Sequence, residues 1–336
     1  MTLTPLGIVG FRGYSGAELV TLLSRHPHAE PVLLEHRESD DRPLPLGRSG
    51  PRRLRCSPES VRSAGLAGVF LATPPEVSMD LTPGLLEAGA KVVDLSGAFR
   101  LRTPENYQRW YKEPHTQPEL LAEAVYGLPE FCRSRVPGSR LISNPGCYPT
   151  AANLAIQPLI QVGAIAREAG IVCDAKSGVS GAGRKPSLKT SFCEVTENFS
   201  AYSILDHRHV PEILQTSGLQ EAELSFTAQL IPIDRGILET IYFRASEEIR
   251  SAQDLLAIYQ ARYENEPFVR MYSASQVPDI RAVAHTNYCD LGIKYDPQTR
   301  RAVVVSVIDN LGKGAAGQAI QNMNLALGFP ETAGLL

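Results

Sequence analysis

The sequence predicts an α/β fold: a Rossmann-like, doubly wound parallel sheet plus a second α+β domain with a mixed or antiparallel sheet. Three observations carry this. Short runs of Val, Ile and Leu alternate with helical patterns through the first third of the chain. A loop of regularly spaced glycines follows the first run directly. Beyond Cys147 the strand-like runs lie far apart, with few helical patterns between them.

Taken in order, "LGIVG" (6 to 10) reads as a buried strand, and Leu19, Leu22 and Leu23 then share one helical face. "EPVLLEH" (30 to 36), "GVFLAT" (68 to 73) and "AKVVDLS" (90 to 96) read as further parallel strands. In the second part, "IVCDAK" (171 to 176), "LSFTAQLI" (224 to 231), "ILETIYF" (237 to 243) and "AVVVSVI" (302 to 308) are the strand candidates. Ser251 with Asp254 three residues on signals a capped helix carrying Leu255, Ile258 and Tyr259 on one face. A last helix is expected from about Gly314 to Leu327. The domains are therefore set at 1–146, completed by a C-terminal helix within 313–330, and at 147–312.

The chain has 336 residues, 43% hydrophobic and 21% charged, enough for two domains with separate cores. A net charge of -3 and the lack of a dense Lys/Arg cluster argue against nucleic acid as a partner. The most basic run, Arg48 to Arg55, contains Gly50 and Pro51 and reads as a solvated loop. The N-terminus lacks a secretory pattern, and no apolar stretch reaches membrane-spanning length, so no membrane partner and a cytoplasmic location are expected. Six cysteines without a C-x-x-C pair argue against a disulfide framework and a structural zinc; no metal is expected.

The loop after the first strand is Gly10-Phe11-Arg12-Gly13-Tyr14-Ser15-Gly16, a relative of the dinucleotide fingerprint. Its glycines permit a tight turn and close approach of backbone to a pyrophosphate, which sits at a helix N-terminus. Cofactor-binding expectations therefore cover Gly10, Arg12, Gly13, Tyr14, Ser15 and Gly16, with Thr73 at the end of a neighbouring strand. Glu35, at the end of the second strand, would favour a ribose hydroxyl, whereas Arg12 and Arg37 would suit a 2′-phosphate. The reading leans to NADP, with Glu35 turned away.

Cys147, in "ISNPGCYPTA", follows a strand-like segment and opens a helical pattern with Pro149 in its first turn. A helix N-terminus favours thiolate, the form an acyl-transfer nucleophile needs. Cys173 and Cys289 fall in apparent strands and are expected to be buried and inert. His207-Arg208-His209 offers a proton partner; histidines two apart on an extended segment point the same way, and Glu212 could fix a tautomer. "SGVSGAGRK" (177 to 185) and "DNLGKGAAGQA" (309 to 319) supply amide and cationic groups, the latter with Asn310 and Lys313 at its mouth. With Arg100 and Arg235 they suit a small anionic substrate.

A nucleotide loop, a helix-terminal cysteine and a later histidine pair describe an aldehyde-forming reductase working through a thioester. The residues also resemble the N-acetyl-γ-glutamyl-phosphate reductase family, through "GYSGAEL", "FLATPPEVS", "DLSGAFR", "YGLPE", "NPGCYPTA", "SGVSGAGRK", "SFCEV", "HRHVPEI", "RGILET" and "DNLGKGAAGQA". The resemblance implies that Cys147 is the nucleophile and that His207 and His209 are its histidine pair. It also implies nicotinamide-side contacts from Asn310 and the 177 to 184 loop, with Ser180 and Gly181. Arg100, Asn144, Arg184 and Arg235 are the expected substrate-binding residues. Phe11 and Arg12 replace the small pair usual in that family; an arginine there is similar to the NADP-using aspartate-semialdehyde dehydrogenases. A homo-oligomer, dimer or tetramer, is expected. Three alternatives stay open: a reductase of an aminoadipyl-phosphate homologue, a cysteine acyltransferase or amidase that binds no nucleotide, and a nucleotide-binding redox sensor without turnover.

Overall fold

The computed structural model describes residues 3–36 and 50–336. They form two compact units: one takes in the chain up to Gln108, Glu113–Pro145 and Ala316–Leu336, the other Arg109–Lys112 and Gly146–Ala315. In the first unit, β1 (Thr4–Val9), β2 (Ala29–Glu35), β3 (Arg52–Arg55), β4 (Gly68–Leu71), β5 (Lys91–Asp94), β6 (Val125–Tyr126) and β7 (Leu141–Ser143) make one sheet, in the order β3-β2-β1-β4-β5-β7-β6. Every pairing in it is parallel. Ile8, Val9, Val69, Phe70, Leu71, Val92 and Val93 are wholly buried, which is why these strands read as unbroken apolar runs. The strand order reverses direction between β1 and β4, and the crevice at such a point is where open α/β sheets take ligands.

One expectation fails here. Part of the basic run read as a solvated loop is β3, whose Arg52–Arg55 backbone pairs with Val32–Glu35. Its side chains stay largely exposed because an edge strand is held by its ladder rather than by burial, so charge does not prevent it from forming.

In the second unit, β8 (Ile171–Gly178), β9 (Ser200–Tyr202), β10 (Leu224–Ile231), β11 (Ile237–Arg244), β12 (Val269–Met271), β13 (Cys289–Asp296) and β14 (Arg301–Ile308) form a mixed sheet, ordered β12-β13-β14-β11-β8-β10-β9. The β8/β10 and β12/β13 pairs are parallel and the rest antiparallel. One face, with Cys173, Ala175, Phe226 and Ile241, is buried, while the other leaves Val172 and Tyr242, direct cross-strand neighbours, 46% and 44% exposed.

Helix Cys147–Gln161 packs on β11 and β14, and helix Ala252–Tyr263 packs against it. The second is closed by the expected capping box: Ser251 Oγ accepts the Asp254 N–H, and Asp254 returns the bond to Ser251. It also repairs the first. Pro158 lies inside the cysteine helix and has no N–H to give the Leu154 carbonyl four residues earlier. The Tyr263 hydroxyl donates to that carbonyl at 2.6 Å, and Tyr259 donates to Ala155 at 2.5 Å.

The C-terminal helix starts later than expected. Residues Gly312–Ala316 form a π-helical turn, and the α-helix proper is Gly317–Leu327. Lys313, expected at the mouth of this turn, is instead completely buried, its ammonium 5.6 Å from the centre of the Phe268 ring. Helix Gly317–Leu327 packs on β5 in the first unit, where Asn322 donates to the Gly127 carbonyl and Asn324 meets His26.

Candidate active site

In the first unit the glycine loop leaves β1 and enters helix Tyr14–Leu23. Gly10 sits at φ +80°, and a Cβ there would lie 2.2 Å from the Ala72 carbonyl oxygen; one on Gly16 would lie 2.2 Å from that of Gly10. Only glycine fits either position. Gly13 is the N-cap residue and no side chain caps this helix, so its N-terminus remains suited to a phosphate. Thr73 is buried, its hydroxyl 2.8 Å from that of Ser78. Tyr14 is 42% exposed, and Ser15 is half-buried. These residues fit a dinucleotide cradle.

At the end of β2, Glu35 is not turned away. Its carboxylate faces the Arg12 guanidinium at 3.6 Å and that of Arg53 at 3.8 Å, and both guanidiniums lie over the Phe11 ring. Arg37 lies outside the described residues. Arg53 is the cation that the sequence reading passed over, because it sat in the run taken for a loop.

Two expected substrate residues are tied to backbone or to each other within this unit. Arg100 donates to the carbonyls of Asn144 and Leu95, joining the ends of β7 and β5. The Asn144 N–H donates to Asp94, and its side-chain oxygen accepts from Asn322. Asp94 itself is fully buried, and burial holds its carboxyl above the usual range.

In the second unit Cys147 is the first residue of its helix, which has Gly146 as N-cap and no capping side chain. Cys147 and Tyr148 line a cavity of about 460 Å³ with Ser177, Lys189, Tyr202, His207 and His209. The other cysteines are poor nucleophiles or lie elsewhere: burial raises the Cys56 thiol to about 11, that of Cys132 to about 12, and that of Cys173 well above its ordinary value. Cys289 is fully buried beside Ser306, and Cys193 is exposed.

The histidines come together, though not along an extended segment. His209 lies in helical backbone (φ -88°, ψ -13°) as the N-cap of helix Val210–Ser217. Its N–H turns back onto His207 Nδ1 at 3.1 Å, and the ring centres are 4.8 Å apart. The turn arises because Pro211 favours the first turn of a helix. Tyr148 meets both rings edge to face, and its hydroxyl lies 3.2 Å from that of Tyr202. Burial pushes the Tyr202 phenol up to about 12.

The two small-residue loops also meet. Asn310 Nδ2 donates to Ser180 Oγ at 2.9 Å, and its oxygen accepts the Gly236 N–H at 2.7 Å. Gly181 lines the cavity, and Gly314 passes so close that a Cβ there would lie 2.9 Å from Cys147 Cβ. Arg184 is exposed. Arg235 forms a 3.0 Å ion pair with the fully buried Asp309, whose oxygens also accept the N–H groups of His285, Leu311 and Gly312. Sequence reasoning missed Lys189 and Tyr202 as pocket residues; the β10/β9 pairing is what holds Tyr202 at this cavity.

Both sheets fall largely in stretches that match the semialdehyde dehydrogenase class. The family described as "Semialdehyde dehydrogenase, NAD binding domain" matches residues 5–138, and "Semialdehyde dehydrogenase, dimerisation domain" matches residues 147–310. An aspartate semialdehyde dehydrogenase II from Vibrio cholerae has a similar fold, with TM-score 0.72 and 17% identity over 97% of this chain and 99% of that one. The Candida albicans aspartate semialdehyde dehydrogenase solved with NADP gives 0.68 and 17% over 96% and 98%. A protein of Symbiobacterium thermophilum named N-acetyl-gamma-glutamyl-phosphate reductase is 49% identical over 98% of this chain and 97% of its own length. The chain belongs to the N-acetyl-γ-glutamyl-phosphate reductase family.

Proposed function

We propose that the chain reduces N-acetyl-γ-glutamyl phosphate to N-acetylglutamate 5-semialdehyde and phosphate, with NADPH as reductant and Cys147 as the acyl carrier. The observation that carries this is Cys147 at an uncapped helix N-terminus, in one cavity with His207 and His209. The Cys147 sulfur attacks the γ-carbonyl carbon, the bond from that carbon to the phosphate oxygen breaks, and a thioester remains. Phosphate is a good leaving group, so this step needs little acid assistance. Backbone N–H groups of Cys147 and Tyr148, first in the helix, face the developing oxyanion.

A nicotinamide held by the glycine loop would supply the hydride that reduces the acyl carbon. Collapse of the resulting hemithioacetal breaks the carbon–sulfur bond, and the histidine pair returns a proton to the departing sulfur. Gly10, Gly13 and Gly16 would hold the pyrophosphate, while Arg12 and Arg53 offer guanidiniums for a 2′-phosphate. Ser180 and Asn310 are the proposed nicotinamide-side residues. Lys189 and Arg208 in the cavity, with Arg184 close in sequence, are the better candidates for the substrate's anionic groups, because Arg100 and Arg235 are engaged elsewhere.

In the reverse direction, N-acetylglutamate semialdehyde, phosphate and NADP should yield NADPH absorbance. Cys147→Ser should abolish the signal. Turnover without phosphate would defeat the reading.

A further inference from the structure

Glu35 ends β2 beside the glycine loop, the position that meets the adenosine ribose in a dinucleotide-binding sheet. An acidic residue alone there accepts from the ribose hydroxyls, whereas arginines there hold a 2′-phosphate. This chain has both. One carboxylate oxygen of Glu35 faces the guanidiniums of Arg12, from the glycine loop, and of Arg53, from edge strand β3.

The fold does not depend on this contact. β3 is held on β2 by backbone pairing, from Val32 with Arg52 to Glu35 with Arg55, and the Cys56 N–H donates to the Glu35 carbonyl at 2.8 Å. The three side chains are 28 to 37% exposed, and ion pairs so exposed add little to stability. Both approaches, 3.6 and 3.8 Å, are longer than a hydrogen bond of about 2.7–3.2 Å. The Glu35 side chain is therefore held by charge and can swing away while its backbone stays fixed. Arg12 and Arg53 also share the Phe11 ring, their guanidinium carbons 5.5 and 5.8 Å from its centre. Two like charges gathered at one ring make an anion site, and Glu35 is the anion in it.

We propose that Glu35 sets the choice between NADP and NAD by competing with the 2′-phosphate for Arg12 and Arg53. This rests on the reading of the first unit as a nicotinamide-nucleotide domain. With NAD, the carboxylate keeps its two arginines and accepts from the ribose hydroxyls. With NADP, the phosphate takes the arginines and Glu35 leaves them. The phosphate gains two guanidiniums that were already neutralised in part, so the preference for NADP is small and the chain takes both nucleotides. Arginines alone at this corner would make the preference large.

The test is nucleotide binding to the full chain by calorimetry, with no substrate present and no turnover. NADP and NAD should bind the unsubstituted chain within about tenfold of each other. Glu35→Gln keeps the size and an acceptor but removes the charge. NADP should then bind about tenfold tighter and NAD about threefold weaker, because a neutral acceptor makes the weaker hydrogen bond. Arg53→Ala should weaken NADP about tenfold and change NAD by less than about twofold. In the Arg53→Ala background the gain from Glu35→Gln should shrink, since one of the contested arginines is gone.

An affinity ratio that Glu35→Gln leaves within about twofold of its starting value overturns the proposal, as does strict additivity of the two substitutions. Should the variants not fold, the fragments 2′,5′-ADP and 5′-ADP decide on the unsubstituted chain. Affinities within about tenfold of each other support the competition, and a stronger preference for 2′,5′-ADP overturns it. Binding of neither dinucleotide would defeat the cofactor reading and this proposal with it, whereas binding with an unmoved ratio defeats the proposal alone.

Discussion

The place of Cys147 at a helix start was readable because everything that marks it is local: a strand end before it, a helix start at it, and Pro149 where no N–H is required. Tyr202 was not readable, since its place in the cavity depends on the pairing of β9 with β10. Arg235 and Lys313 have partners that the sequence did not show. Cations near a glycine turn suggested an anion site, yet one neutralises buried Asp309 and the other is buried against Phe268. His207 carries a stability prediction. The unfolded chain protonates this ring at its ordinary 6.5, the folded chain only near 4, so between these values the unfolded state binds more protons. The contribution is complete above the unfolded value and lost as pH falls, amounting to about 2 kcal/mol by pH 5. Chemical denaturation of the unsubstituted chain and of His207→Gln at pH 5 and 7.5 should show the flatter dependence in the variant; parallel curves would refute it.

Among the elements, the parallel strands were legible from their composition, because burial on both faces demands apolar side chains throughout. β3 escaped notice because an edge strand can be built from arginines, and the π turn Gly312–Ala316 because no periodicity announces one. The capping box at Ser251 was visible because its two members lie three residues apart. Its partner feature, the Tyr263 bond to Leu154, was not, since it depends on two helices meeting. That bond offers a test at this scale. Tyr263→Phe should strand a buried carbonyl on the cysteine helix, lowering stability by about 1–3 kcal/mol in denaturant titrations. Leu154 carbonyl is already deprived of its helical donor by Pro158, so a loss no greater than that of an exposed Tyr→Phe change would show that the hydroxyl is dispensable.

At the scale of the whole molecule, the second sheet leaves part of one face exposed. Val172 and Tyr242 stand side by side on its open face, within the stretch matching a dimerisation domain. We expect a second copy of the chain to cover them, so sedimentation should report a multiple of 36.6 kDa. Tyr242→Glu should shift the distribution toward the monomer by placing a charge where apolar surface meets its like. A variant that assembles unchanged would direct attention to another face. The chain's division also governs how it is made. The first unit is assembled from segments on both sides of the second, and its segment Ala316–Leu336 leaves the ribosome after the residues of the second unit. The cysteine unit, contiguous but for four residues, has almost its whole sequence before then. During synthesis the Cys147 unit is therefore complete in sequence while the first unit still waits for helix Gly317–Leu327. A premature stop near residue 315 would release a chain with the second unit complete in sequence and the first lacking its last helix.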